Sequence, residues 1–341
     1  MRMHSTPRIV SAAGALLCAW PSFDATAHHS FAAVFQMDTV TEIEGRVTAV
    51  HWINPHIKID VAGSDGQSWE VEAGPVNLLS RMGIDKDMID VGMTIRVRGN
   101  PGRRNARMLW VSNILLPDNT ELLAAPGATP HWGSKTVGDA TEFFVAGDLK
   151  LPDGSARSFF RVWTPLISAM PRPRGTPSLT DAGRRAQARY EGDEQAVADC
   201  EVPGVPFAMM SPYPVEILDQ GERLLIRGEA YDLTRVVHLA PPARLPEPSP
   251  LGLSVGRFLG DELVVETSRI DYHSYGDLGP AQSNQSLVVE RFKLSADGLK
   301  LDYEITVTDP VMLGEPWLWG GSFIYREAAE IKPWNCGADR A

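Results

Sequence analysis

The sequence predicts a mainly β protein in two parts. An OB-like small barrel spans residues 28–117, and an antiparallel lipocalin-like barrel spans 141–341, with a β-sandwich as the alternative for the second part. Three observations carry this. Residues 41–116 read strand, strand, strand, helix, strand, strand, the order of an OB-like barrel. From Val215 to Arg326, eight segments read as strands by their apolar residues and bounding turn residues. The turn pairs Gln220-Gly221, Gly260-Asp261 and Asp297-Gly298 join neighbours tightly, which makes those neighbours antiparallel. Eight such strands close into an up-and-down barrel with room for one small ligand.

The elements follow in order. Arg2 and Arg8 flank the start of an uncharged apolar run, Ile9 to Trp20, and Ala25-Thr26-Ala27 puts small residues where a signal peptidase reads. Residues 1–27 are therefore expected to be a cleavable signal peptide, with the working chain starting at His28 in the periplasm or outside the cell. The run is shorter than the roughly 20 apolar residues of a membrane span, and no later stretch is longer, so no membrane insertion of the mature chain is expected. In the first domain the strands are Thr41–Trp52, Ile57–Ala62, Gln67–Glu72, Thr94–Gly99 and Met108–Leu116. Asn54-Pro55 and Ser64-Asp65-Gly66 are turns. Pro75–Met82 is a helix closed by Gly83. Residues 118–140, rich in Pro, Ala, Gly and Thr, read as a linker. Thr141–Leu151 and Ser158–Trp163 read as a hairpin around Pro152-Asp153-Gly154, and Thr180–Tyr190 as a helix capped by Thr180. The eight strands are Val215–Asp219, Arg223–Gly228, Thr234–Leu239, Gly252–Leu259, Glu262–Ser268, Ser286–Leu294, Leu299–Thr308 and Trp317–Arg326.

Charge and cysteines narrow the setting. The chain carries 32 basic and 43 acidic residues, a net charge of −11, with the two signs well mixed. Such a surface does not suit phosphate contacts, so no nucleic-acid partner is expected. Of three cysteines, Cys18 leaves with the signal. An oxidising compartment and a single available pairing predict a Cys200–Cys336 disulfide.

Longer motifs carry a resemblance. His28-His29-Ser30-Phe31-Ala32, Glu44-Gly45-Arg46-Val47, Trp52-Ile53-Asn54-Pro55-His56 and Gly74-Pro75-Val76-Asn77-Leu78-Leu79-Ser80-Arg81-Met82-Gly83 resemble a family of small secreted bacterial proteins of unknown function. That resemblance covers the first domain and implies export, with no activity attached. Cys200-Glu201-Val202-Pro203-Gly204-Val205-Pro206, Ser211-Pro212-Tyr213-Pro214 and the stretch Gly256 to Thr267 resemble uncharacterised exported bacterial β-rich proteins. Those often carry His-Ser before a Gly-Arg-Trp stretch. Here Leu253-Ser254 and Phe258 hold those places.

Three groups of residues are candidates for chemistry. A cut before His28 creates a free α-amine beside its imidazole, and a second imidazole would complete a copper-binding histidine brace. His56, after the Asn54-Pro55 turn, is the first choice for that ligand, and His29 and His51 are further ones. In the second barrel, Trp317 and Trp319 share a strand face, and Tyr303, Phe323 and Tyr325 add aromatic lining for a small hydrophobic molecule. In the loop after the fifth of the eight strands, Asp271 and His273 stand two apart and so can share a face as an acid–base pair. Glu266 with Arg257 is another such pair.

Several signatures are absent: G-x-S-x-G, H-E-x-x-H, C-x-x-C, a phosphate loop and a dinucleotide fingerprint. No organic cofactor is expected. The sequence leaves two functions open. One is an exported binding protein for a small apolar molecule, with copper at the N-terminal histidine. The other is a cofactor-independent isomerase, cyclase or hydrolase acting on a hydrophobic small molecule.

Overall fold

The computed structural model describes residues 34–133, 135–152, 157–189, 200–276 and 280–336. Its first barrel is built from β1 (Thr41–His51), β2 (Lys58–Gly63), β3 (Ser68–Glu72), the short helix α1 (Val76–Arg81), β4 (Thr94–Pro101) and β5 (Met108–Leu115). The five strands run β3-β2-β1-β4-β5, and a parallel β3–β5 pairing closes the ring. This is the OB arrangement, with its helix between the third and fourth strands. Period-two alternation turns Val47, Ile59, Val61, Val71, Ile95, Val97, Leu109 and Val111 inward, each at most 1% exposed. Bulges at Thr48 of β1 and at Ser112 of β5, opposite Arg98/Gly99, bend these strands around the small core. Gly99 is required opposite its bulge, because a Cβ there would stand 2.3 Å from the Trp110 carbonyl oxygen.

The expected linker is not a linker. β6 (Thr120–Leu123) pairs with β5, and β7 (Lys135–Val137) pairs with β6, extending the first sheet. Glu121 explains this. Its carboxylate is 0% exposed. It accepts from the backbone N–H groups of His131, Trp132 and Gly133 at 2.8, 2.9 and 3.0 Å, and from Asn113 Nδ2 at 2.7 Å. Burial pushes this carboxyl up, but the backbone donors outweigh it and hold it below its ordinary value. Composition alone hides such an anchor.

The expected hairpin at 141–163 also differs. Asp139 Oδ1 accepts from the Thr141 N–H at 2.8 Å, and a helical turn, α2 (Thr141–Phe144), forms instead of a strand. Its Phe143 is buried in the first barrel's cluster. The second strand of the expected hairpin becomes β8 (Val162–Pro165), which joins the second barrel. β9 (Arg172–Pro173) follows, then α3 (Asp181–Gln187), whose Thr180 cap accepts from the Gly183 N–H at 3.0 Å.

The second barrel adds β10 (Val215–Asp219), β11 (Arg223–Gly228), β12 (Thr234–His238), β13 (Leu253–Leu259), β14 (Glu262–Ser268), β15 (Leu287–Leu294), β16 (Lys300–Thr308) and β17 (Trp317–Tyr325). With β8 between β10 and β17, they close a nine-stranded ring, one strand more than expected. It is not wholly up-and-down. β12 and β13 pair in parallel, because the proline-rich connection 239–252 is long enough to cross over. No helix among the described residues is long and apolar enough to cross a membrane.

The barrels meet at one packed joint. Tyr213, Ala230 and Trp334, from the second part of the chain, belong to the first barrel's buried cluster. Cys200 and Cys336 pair as a disulfide with Cα atoms 6.1 Å apart, within the usual range.

Candidate functional site

Two sites gather polar chemistry, one in each barrel. In the second, inward-facing positions of five strands converge on a buried ion pair. Arg235 of β12 is 1% exposed and Glu290 of β15 is 0% exposed. Arg235 Nη1 donates to Glu290 Oε1 at 2.9 Å, and Nη2 donates to Glu290 Oε2, a two-pronged pairing. Arg235 Nε donates to Ser254 Oγ at 3.0 Å, and Nη2 also donates to Thr267 Oγ1 at 2.7 Å. The Tyr303 hydroxyl donates to Glu290 Oε1. Burial pulls the guanidinium pKa down, but the charge of Glu290 outweighs it and leaves it raised. Burial, then the Glu290 charge, holds the Tyr303 hydroxyl well above its ordinary value. Both shifts keep Arg235 charged and the Tyr303 hydroxyl protonated near neutrality.

Sequence reading missed this centre, although its signal exists. Arg235 shares inward parity with Val237, and Glu290 shares it with Val288 and Phe292. Opposite charges on the buried parity of two strands must find each other or leave an unpaired charge.

The predicted aromatic residues surround this pair. Tyr303 stacks on Phe292 with ring centroids 4.4 Å apart, Phe323 lies 5.8 Å from Tyr303, and Trp317 meets Trp319 edge-on at 4.8 Å. Tyr325 is half-buried, with the Arg161 guanidinium 4.8 Å from its ring centroid. Trp319 Nε1 is buried and has no acceptor among the described residues. Of the expected acid–base residues, Asp271 and His273 are both exposed, and the His273 ring lies tilted against Tyr272 with centroids 4.6 Å apart. Glu266 and Arg257 do pair, at 2.8 Å, on the exposed outer face of the sheet. Leu253, at the place where the resembling proteins often carry histidine, is buried, and Ser254 beside it bonds Arg235.

The first barrel holds the second site. The Asn54-Pro55 turn carries His56, whose Nδ1 lies 2.5 Å from Oε1 of the buried Glu72 on β3. The imidazole packs edge-on against Trp110 at 5.4 Å, and Phe35 packs on the same indole at 5.7 Å. His51 faces Asp60 at 3.5 Å on the exposed surface. His28 and His29 lie outside the described residues. Among the described residues no group of three or more His, Cys, Asp or Glu side chains is arranged to hold a metal ion.

The turn itself is held from three sides. Asn54 Oδ1 accepts from the Val76 N–H at 2.9 Å, which caps α1. Asn54 Nδ2 donates to Asn77 Oδ1 at 2.9 Å and to the Trp334 carbonyl. Asn77 Nδ2 reaches Glu229 Oε1 at 3.0 Å, and Arg81 forms a buried ion pair with Glu229 at 2.5 Å.

A protein-family model matches this part of the chain. No curated protein matches it. Residues 15–109 match the model of a family of unknown function, DUF6152, a stretch that includes His28, His29, His56 and Glu72.

Proposed function

We propose that this chain is an exported, non-catalytic binding protein whose site is a copper(II) centre on the first barrel, built from His56 with His28 and His29. The Glu72–His56 pair carries the reading. Metal-ligating histidines commonly give one ring nitrogen to a carboxylate, which fixes tautomer and ring orientation. Glu72 does this at Nδ1, so Nε2 is the nitrogen that would ligate. Signal cleavage before His28 would add an amine and an imidazole on one residue, and copper(II) takes planar nitrogen sets. Reach supports the assembly. Phe35 packs on the indole that His56 also touches, and an extended chain lets His28 lie up to roughly 20 Å from Val34.

Isothermal titration of copper(II) into protein beginning at His28 tests this. One equivalent should bind, His56→Ala should weaken it by more than 100-fold, and Glu72→Gln by about 10- to 100-fold. Equal binding by wild type and His56→Ala would end the proposal.

A small molecule in the second barrel is the second reading. The buried Trp319 Nε1 favours it, since an oxygen-bearing apolar ligand against Trp317 and Trp319 would supply the missing acceptor. Native mass spectrometry of protein purified from its exporting host checks this. A mass equal to the bare chain would remove the reading. For an enzyme, the support is weaker. Arg235 does not release its proton, Tyr303 resists doing so, and Asp271 and His273 lie on the exposed surface.

A further inference from the structure

We infer that the Cys200–Cys336 disulfide is a redox-sensitive clasp on a C-terminal strap, residues 326–336, which locks the two barrels together and fixes the turn that carries His56. The link to copper rests on the function proposed above, whereas the clasp itself does not.

The strap leaves β17 and crosses to the first barrel. Its polar anchors come from α1 and from the segment that follows β11. The Glu330 carbonyl accepts from Arg81 Nη2 at 3.2 Å, and the Lys332 N–H donates to Glu229 Oε2 at 2.9 Å. The Pro333 carbonyl accepts from Asn77 Nδ2 at 3.3 Å, and the Trp334 N–H donates to Asp232 Oδ1 at 2.9 Å. The Trp334 ring is buried at the joint, 5.0 Å from Tyr213 and 5.5 Å from Tyr231. Cys336 then forms a bridge with Asn54 and the disulfide with Cys200.

One buried indole and a row of single hydrogen bonds must offset the entropy lost at every residue when this segment is ordered. The disulfide removes most of that entropy from the closing step by tying the strap's end to a residue 136 positions earlier. Both cysteines are half-buried at the joint's rim. Reduction is balanced by a dithiol: it gives two electrons and two protons, leaves the protein with two thiols, and itself becomes a disulfide. Without the bond, the strap's closing is left to Trp334 and its hydrogen bonds.

Opening reaches His56 through Asn54. The sulfurs of Cys200 and Cys336 lie 3.9 and 3.7 Å from the Asn54 carbonyl oxygen, and Asn54 Nδ2 donates to the Trp334 carbonyl. A released strap takes away the Cys336 and Trp334 contacts, two residues from His56.

Hydrogen exchange of the wild-type chain, oxidised and reduced by dithiothreitol, tests the clasp. On reduction, amides of residues 328–336 should exchange at least about tenfold faster, and chymotrypsin should begin to cut after Trp334, while β4 and β15 keep their protection. Unchanged strap protection with both thiols titratable would overturn the clasp. Copper(II) titration of the Cys200→Ser/Cys336→Ser variant, begun at His28, tests the link without thiols that bind metal. Affinity about tenfold below wild type supports it. Full affinity in a variant whose strap exchanges freely overturns the link. If wild type binds no copper(II), the proposed function fails, and the exchange experiment still decides the clasp.

Discussion

The two barrels solve the same closure problem at different widths. Five strands enclose so little space that Val, Ile and Leu side chains fill it, and the first barrel's interior is aliphatic. Nine strands enclose more. The second barrel fills its interior with Trp163, Phe292, Tyr303, Trp319 and Phe323 and with the Arg235–Glu290 pair. The difference teaches that strand number sets the chemistry of the interior. A wide barrel takes in rings and charges, and each buried charge then needs a full set of partners. The narrow barrel places Asn54, His56 and Glu72 at its edge, with the His56 imidazole against the Glu72 carboxylate.

The largest effect expected from this contrast is at Glu290. Glu290→Ala strands Arg235 inside the barrel, at a cost of about 3–5 kcal/mol in denaturant unfolding. Arg235→Met with Glu290→Leu should recover most of it. A loss under about 1 kcal/mol from Glu290→Ala would mean that the pair is not dry, and the contrast would fail.

Alkaline pH should separate the barrels next. The hydroxyls of Tyr303 and Tyr275 in the second barrel are raised, each first by burial. A raised acid keeps its proton in the folded chain after the unfolded chain has lost it. Stability is therefore complete below the unfolded value near pH 10 and falls above it, by about 1.4 kcal/mol per pH unit for each tyrosine. Tyr213, in the first barrel's cluster, is raised in the same way, so two raised hydroxyls against one should make denaturation from pH 9 to 11.5 cost the second barrel more. Tyrosine absorbance that titrates fully near pH 10 in the folded chain would refute the burial argument.

A smaller effect belongs to the first barrel. Ile59→Val removes one buried methylene group and should cost about 0.5–1.5 kcal/mol, measured at the same midpoint. The smallest is on the second barrel's outer face, where Glu266→Gln breaks the exposed pair with Arg257 and should shift stability by less than about 1 kcal/mol. A larger shift would give the outer face an energetic role that its exposure argues against.

Much of the second barrel was legible before any coordinates. The expected strands Val215–Asp219, Arg223–Gly228 and Glu262–Ser268 agree residue for residue with β10, β11 and β14. Their turns and alternation are local signals. The Cys200–Cys336 pairing was also legible, since only one pairing existed. Local signals failed where a distant partner decided the outcome. Residues 118–140 look like a linker until Glu121 finds three backbone donors up to 12 positions away. Trp163 looks like a hairpin residue until β8 slots between β10 and β17. Within the candidate site, His56 was legible from its place after a proline turn, but Glu72, 16 positions on and across the sheet, was not.

By itself the sequence determined the class of this protein. Strand periodicity, turn pairs and the helix between the third and fourth strands follow from neighbours within a few residues, where backbone sterics and side-chain direction act. Only the tertiary structure decided what fills each barrel, that nine strands close the second, and that a terminal strap clasps the joint beside His56. Those outcomes depend on contacts between residues far apart in the chain. Arg235 and Glu290 stand 55 positions apart, and Asn54 and Trp334 stand 280 apart. A pairing over such spans is fixed by closure of the whole barrel, which no local pattern encodes.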